Sequence, residues 1–210
     1  LQLFEMILAK THTLWKSVIN IAKEKLNTEV INPWDLSYFL NTQLIKNTDN
    51  IFPKDKIIES FNGILKKFKL NLSDLPIRIK EQDIPYGGLC FIFDPGKDIR
   101  ILANPNNGHK WYATLFHEFG HALQFSTPSN LSYTLATGEP SFFLEAMAKI
   151  FENFTGEDEW LTSMGVEDNL LIDFNRSILI NRIAKIRSII AQSLFEIQLY
   201  QDQSGNIDLR

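Results

Sequence analysis

Two histidines and a glutamate at helical spacing are the residues of this chain best suited to chemistry. His117, Glu118 and His121 form a His-Glu-x-x-His pentad inside a segment with helical character. Residues four apart lie on one face of a helix, so both imidazoles can reach one metal ion. Neutral imidazole nitrogen is a good ligand for Zn²⁺. Glu118 could then accept a proton from a water molecule at the metal, which predicts zinc-dependent hydrolysis with Glu118 as general base.

The alternative for the pentad is a chance pairing of two surface histidines beside a solvated carboxylate. The flanking residues are largely apolar, with Ala113–Phe116 before the pentad and Phe119 within it. An apolar helix is expected to be partly buried, and buried imidazoles need partners. The flanks therefore favour a metal site. Gly120 is unfavourable inside a helix, and we expect another element to approach closely there, although a harmless surface glycine is an equal alternative.

Glu145 is the best candidate for the third metal ligand. Catalytic zinc commonly has three protein ligands, and two His with one Glu is a known set. Glu145 falls in the next predicted helix between apolar residues, where an unpaired carboxylate is costly. An ion pair with Lys149 is its alternative role. Glu139 and Glu152 are rival ligands, and Glu152 could instead hydrogen-bond a ligand histidine from behind the site.

Apolar periodicity and turn residues predict a mainly α protein with a small antiparallel sheet or hairpin just before the metal helix. The polar residues Asp94–Lys97 connect the two strands of the hairpin. The segment 126–139 is rich in turn residues and is predicted to be a loop. The predicted helices are 3–26, 34–45, 55–68, 110–125, 140–154 and 168–200, the last as one helix or two; the predicted strands are 76–80, 89–93 and 99–102.

Three further features have open roles. The strand 89–93 could hold an extended peptide by strand addition or could be an ordinary core strand. Tyr133, in the loop after the metal helix, could stabilise an oxyanion, although an aromatic residue that packs a loop is commoner. His12 and His109 are predicted to be ordinary surface or core residues, with His109 the nearer to the metal helix in the chain.

Composition narrows the classes of protein. The chain has 210 residues, 44% of them apolar, and a net charge of −4, so we expect one domain, or most of one, and no nucleic-acid partner. No apolar run approaches the length of a membrane span, and no signal peptide is visible. We therefore expect no membrane partner and a cytoplasmic location. The single cysteine, Cys90, excludes an internal disulfide and any multi-cysteine metal site.

Two segments resemble the M3 family of metallopeptidases, which includes thimet oligopeptidase and oligoendopeptidase F. The segment Thr114–Leu123 is similar to the metal helix of the family, and Phe143–Phe154 is similar to its second ligand helix. Weaker landmarks are Pro33–Phe39 and Phe52-Pro53. The resemblance spans roughly residues 30–200. It implies a zincin-like, mostly helical catalytic domain of the gluzincin type that binds one Zn²⁺ per chain and cleaves oligopeptides, with Glu145 as the family's ligand glutamate.

The chain also departs from the family pattern. Met147-Ala-Lys149 replaces the Pro-Ser-Gln that follows the ligand glutamate in the family. The segment Gly138–Ala146 faintly resembles dipeptidyl carboxypeptidases of the same clan, so an exopeptidase is an alternative to an endopeptidase. A zinc-stabilised structural domain without catalysis is the other alternative. The resemblance places a Tyr- and Gly-rich segment with a His after residue 210, so we expect a fragment that is a weak peptidase or an inactive one by itself.

Overall fold

The computed structural model of the protein describes residues 1–42, 49–127 and 130–201. The chain is mainly helical with a small three-stranded sheet, which confirms the predicted mainly α class. The described residues form two compact units, one from 1–42 with 172–201 and one from 49–127 with 130–171. This division does not test the single catalytic domain, which stays a prediction. None of the described helices has the length and hydropathy of a membrane span.

The helices follow the predicted segments, with differences at their ends. Two short 3₁₀ turns, Lys54–Lys56 and Leu72–Asp74, flank α4. In chain order the α-helices are α1 (Gln2–Lys10), α2 (His12–Leu26), α3 (Pro33–Thr42), α4 (Ile57–Lys67), α5 (His109–Gln124), α6 (Tyr133–Ala136), α7 (Ser141–Phe154), α8 (Asp158–Ser163) and α9 (Asp168–Gln201).

The single helix predicted over 3–26 is wrong, because the chain breaks at Thr11 between α1 and α2. The Thr11 hydroxyl donates to the carbonyl of Ile7 at 2.8 Å. Arg187 donates to the carbonyl of Leu8 at 2.9 Å, and that carbonyl would otherwise accept the next helical hydrogen bond. The break therefore coincides with a local contact of Thr11 and with a contact from Arg187, which is remote in sequence.

Segment 168–200 forms one helix, α9, which is one of the two predicted alternatives. Other helix predictions need corrections. The predicted loop 126–139 contains the short helix α6, and α8 was not predicted. Residues 43–45 of the predicted helix 34–45 lie outside the described residues.

The sheet has the strand order β1-β3-β2, formed by β1 (Ile77–Glu81), β2 (Gly88–Asp94) and β3 (Asp98–Ala103). β2 and β3 are antiparallel, which confirms the hairpin. The prediction of an antiparallel sheet is wrong for β1, which pairs with β3 in parallel. Alternation along β1 indicates a strand but carries no information on which neighbour it pairs with or in which direction.

A tight turn fixes the hairpin to α5. Lys97 N–H donates to the carbonyl of Asp94 at 2.9 Å, and Gly96 has φ 77°, as a type II turn with Pro95 before it requires. Gly96 N–H in turn donates to the carbonyl of Phe125 at the end of α5, at 2.8 Å. The turn thus satisfies a helix-terminal carbonyl and ties the sheet to α5.

An apolar core holds α5 in place. Ile99, Ile101 and Ala103 of β3 are buried, and α5 contributes a buried aromatic face. Phe119 of α5 stacks on Phe61 of α4 with ring centroids 4.0 Å apart. Buried residues of α5 are Tyr112, Leu115, Phe116, Phe119, Gly120 and Ala122. The other faces of α5 are therefore packed in the core, and this packing holds the face that carries His117 and His121.

Candidate metal centre

The two pentad histidines converge through the same ring nitrogen. His117 Nε2 and His121 Nε2 are 3.2 Å apart, and the side chains are only 19% and 16% exposed. Two nitrogens bound to one tetrahedral zinc at about 2.0–2.1 Å are about 3.3 Å from each other. The separation of the two nitrogens is therefore that of neighbouring ligands of one ion.

Glu145 on α7 brings its carboxylate to the same point. Its Oε2 lies 3.5 Å from His117 Nε2, and its Oε1 lies 3.6 Å from His121 Nε2. Ligand atoms of the three residues all lie within 4.8 Å of one another, and they form the group in the described part of the chain that could hold a metal. The donor set and its spacing fit zinc with two His and one Glu.

Glu145 is more exposed to solvent than the apolar residues around it in the sequence predict. Glu145 is 59% exposed, and its neighbour Phe142 is 75% exposed. The expected apolar surroundings of Glu145 are therefore wrong, because much of this end of α7 faces solvent. Its nearness to the two imidazoles, and not burial, is what indicates a ligand.

The rival carboxylates occupy other positions. Glu139 hydrogen-bonds the side-chain amide of Gln124. Glu152 Oε2 lies 3.0 Å from His117 Nδ1, on the side of the ring away from the converging nitrogens. Lys149 forms an ion pair with Glu152, so the alternative pairing of Lys149 with Glu145 is not seen. Glu152 therefore supports His117 from behind the site, which is the alternative role predicted for it.

The contact with Glu152 selects the tautomer of His117. A carboxylate can only accept a hydrogen bond, so Nδ1 of His117 must carry the proton. The lone pair of the neutral ring then lies on Nε2, towards His121 and Glu145. Such carboxylate–histidine pairs orient metal ligands and raise their basicity.

Burial also shapes the protonation of His121. Burial, together with the neighbouring His117, lowers the pKa of His121, while Glu145 opposes the shift. A lower pKa favours the neutral ring, which is the form that binds metal.

Glu118 lies against the free edge of β2. The backbone N–H of Cys90 donates a hydrogen bond to its carboxylate. Gly88 gives the side chain room, since a Cβ atom at Gly88 would lie 2.8 Å from Glu118 Cγ. Burial raises the pKa of Glu118 and Glu145 adds to the rise, whereas His117 and the Cys90 N–H oppose it. This contact with the strand was not predicted, and Gly87-Gly88 is its one signal in the sequence.

The remaining candidates lie outside the ligand cluster. Burial raises the pKa of the Cys90 thiol to about 12, with a further contribution from Glu118, so Cys90 stays protonated. The His109 ring nitrogen Nε2 lies 2.7 Å from the carbonyl of Thr155, as a core histidine would. The Tyr133 hydroxyl donates to the carbonyl of Ile92 at 3.0 Å. His12 is exposed on α2.

Comparisons of the chain with protein-family models, with curated proteins and with solved structures found no match.

Proposed function

We propose that this protein is a zinc peptidase in which His117, His121 and Glu145 hold one Zn²⁺ per chain. The observation that carries the proposal is the convergence of ligand atoms of the three residues within 4.8 Å of one another, with Glu118 close enough to His117 and Glu145 for their charges to act on its carboxyl group. A purely structural zinc site does not need an additional carboxylate next to a ligand. The position of Glu118 therefore favours catalysis over a structural role.

The residues of the chain divide the chemistry between them. Bound zinc lowers the pKa of a water molecule and polarises a scissile carbonyl. Glu118 accepts the proton from the attacking water and then donates it to the leaving amine nitrogen. The Cys90 N–H holds the carboxylate of Glu118 in place, and Glu152 holds the ring of His117. Each reacting group thus has a fixed partner from another element of the fold.

The free edge of β2 supports a peptide as the substrate. β2 pairs only with β3 in the described sheet, so one edge of the strand has no partner strand. The carbonyl of Gly87 accepts a hydrogen bond from Asn104 N–H across the hairpin, so Gly87 and every second residue after it face β3. The N–H and carbonyl groups of Gly88, Cys90 and Ile92 therefore point to the free edge. An extended peptide can add to such an edge through backbone hydrogen bonds. Its backbone would then pass Glu118.

We also propose that this protein is related to the M3 oligopeptidases. This relationship rests on the two ligand segments that resemble those of the family, and the proximity of Glu145 to both histidines supports it. The zincin-like character of the fold and the cleavage of oligopeptides are proposed on that basis.

Metal analysis and a peptide assay test the proposed function together. We expect about one Zn²⁺ per chain, lost in His117→Ala and in Glu145→Ala. Glu118→Gln should keep the zinc and lose nearly all hydrolysis of an internally quenched peptide, because a neutral amide cannot accept the proton of water. Glu157→Gln is the matched control, since Glu157 is exposed ahead of α8, and it should behave like wild type.

Two results would contradict the proposal. Zinc stoichiometry that stays near one in His117→Ala would remove the ligand assignment. Peptide hydrolysis in Glu118→Gln above a few per cent of wild-type kcat would remove its role as general base, since general-base catalysis contributes about 10²–10⁴-fold.

A further inference from the structure

Two side chains already occupy the free edge of β2. Glu118 accepts the N–H of Cys90, and Tyr133 donates to the carbonyl of Ile92 at 3.0 Å. Both backbone groups belong to the residues that point away from β3. Moving along the strand towards Asp94, the proposed general base comes first and the tyrosine second. Glu118 thus takes the Cys90 N–H and Tyr133 takes the Ile92 carbonyl. Among the described residues no side chain hydrogen-bonds the Cys90 carbonyl, which a peptide beside Glu118 could use.

The Tyr133 phenol lies in the space that an added strand would need. Cys90 and Ile92 are two residues apart, or about 7 Å along an antiparallel strand. A paired peptide would run about 4.8 Å from β2. The Tyr133 hydroxyl, at 3.0 Å from the Ile92 carbonyl oxygen, lies within that distance. A peptide backbone and the Tyr133 phenol cannot both occupy this position.

Short-range hydrogen bonds hold Tyr133 on a closed helical turn. Ala136 N–H donates to the carbonyl of Ser132 at 2.9 Å, and Thr137 N–H donates to the carbonyl of Tyr133 at 2.9 Å. The hydroxyl of Thr137 also donates to the Tyr133 carbonyl, at 2.8 Å. Gly138 packs so closely that a Cβ atom there would lie 2.8 Å from the Thr134 carbonyl oxygen. The turn thus presents the phenol from a defined backbone.

We propose that Tyr133 closes one end of the peptide-binding edge and makes this site specific for peptides cleaved about two residues from one terminus. The inference rests on the peptidase function proposed above and defines its substrate class. A peptide positioned at Glu118 has room for about one dipeptide before it meets the phenol. At the other end, Glu118 and Leu115 pack against Gly88, but no side chain of the described residues hydrogen-bonds its backbone, and longer substrates are accepted there.

Peptides of graded length test this inference. One internally quenched core peptide is extended residue by residue, in one series at its amino end and in another at its carboxyl end. We expect kcat/KM of the wild-type protein to fall about tenfold or more once one series passes the second residue, because a steric clash acts against the longer substrate. The other series should be tolerated. Tyr133→Ala should remove most of this length dependence.

A neighbouring substitution provides the control. Leu135 lies on the same helical turn and is 68% exposed, so Leu135→Ala should keep the length dependence of wild type. Zinc stoichiometry measured on each variant shows that the metal centre is intact. Equal tolerance of both series in wild type, or unchanged length dependence in Tyr133→Ala, would overturn the role of Tyr133. Failure to cleave any peptide, including the shortest, would overturn the peptidase function and this inference with it.

Discussion

Gly120 of α5 lies directly against the backbone of Ala148 on α7. A Cβ atom at Gly120 would lie 2.7 Å from Ala148 Cα and 3.1 Å from the carbonyl oxygen of Met147. These are backbone atoms, which cannot move aside without moving the helix. The missing side chain therefore sets the distance between the helix that carries both histidines and the helix that carries Glu145.

Gly120→Ala should separate the two helices and weaken the metal centre. We expect a loss of about 1–3 kcal/mol in the free energy of unfolding, the usual effect of overpacking, despite the higher helix propensity of alanine. Zinc affinity should fall as well, because Glu145 moves away from His117. Urea unfolding and a competitive chelator titration measure the two effects.

Gly63→Ala is the matched control for this substitution. Gly63 lies within α4, and a Cβ atom there would meet nothing within 4 Å. Helix propensity alone then acts, and the variant should gain up to about 1 kcal/mol in stability. Equal and small effects at both glycines would show that the approach of α7 to α5 is not limited by Gly120.

Glu152→Gln should weaken zinc binding without removing a ligand. The amide cannot reproduce the charge that Glu152 presents to His117 Nδ1, and Lys149 loses its ion-pair partner. Substitutions behind a metal ligand typically cost about 10–100-fold in affinity. Chelator competition measures the change, with Glu157→Gln as control. An affinity equal to wild type would mean that Glu152 does not orient His117.

Gly88→Ala should impair catalysis more than metal binding. The added Cβ atom would displace Glu118 Cγ, which lies 2.8 Å from its position, and with it the carboxylate that accepts the Cys90 N–H. We expect kcat to fall by about tenfold or more, as for a displaced general base, with zinc stoichiometry still near one. Loss of zinc together with activity would indicate a general disturbance of the site instead.

His109 should make stability depend on pH. Burial lowers the pKa of His109 and outweighs the hydrogen bond to the Thr155 carbonyl, which acts in the opposite direction. The unfolded chain has the ordinary pKa of about 6.5, so between the two pKa values the unfolded state binds more protons. The contribution of His109 to stability is thus complete above about pH 6.5 and is lost as the pH falls towards its lowered pKa in the folded protein.

Urea unfolding in the presence of a chelator, between about pH 5 and 7.5, isolates this effect. His109→Gln can still donate to Thr155 but does not titrate, so its stability should change less with pH than that of wild type. His12→Gln, at an exposed position of α2, should follow the wild-type curve. Parallel curves for wild type and His109→Gln would contradict the prediction.

Rules that involve only residues close together in the sequence were sufficient to predict part of the structure. The spacing of His117 and His121 within one helix fixes their side chains on one face, whatever else the chain does. Asp94–Lys97 likewise determines its hairpin, because proline favours the first central position of a type II turn and Gly96 has the positive φ that the second requires. In both cases the interacting residues are neighbours in sequence, and the sequence alone identifies them.

Tertiary packing determined the features that involve residues far apart in the sequence. Glu145 and Glu152 lie seven residues apart on one helix, nearly on the same face, and only the placement of α7 against α5 puts Glu145 beside Nε2 and Glu152 beside Nδ1. The contact of Cys90 with Glu118, the direction of β1 and the contact of Arg187 with Leu8 also depend on distant parts of the chain. Such contacts form only when separate elements pack together, so periodicity and composition carry no record of them.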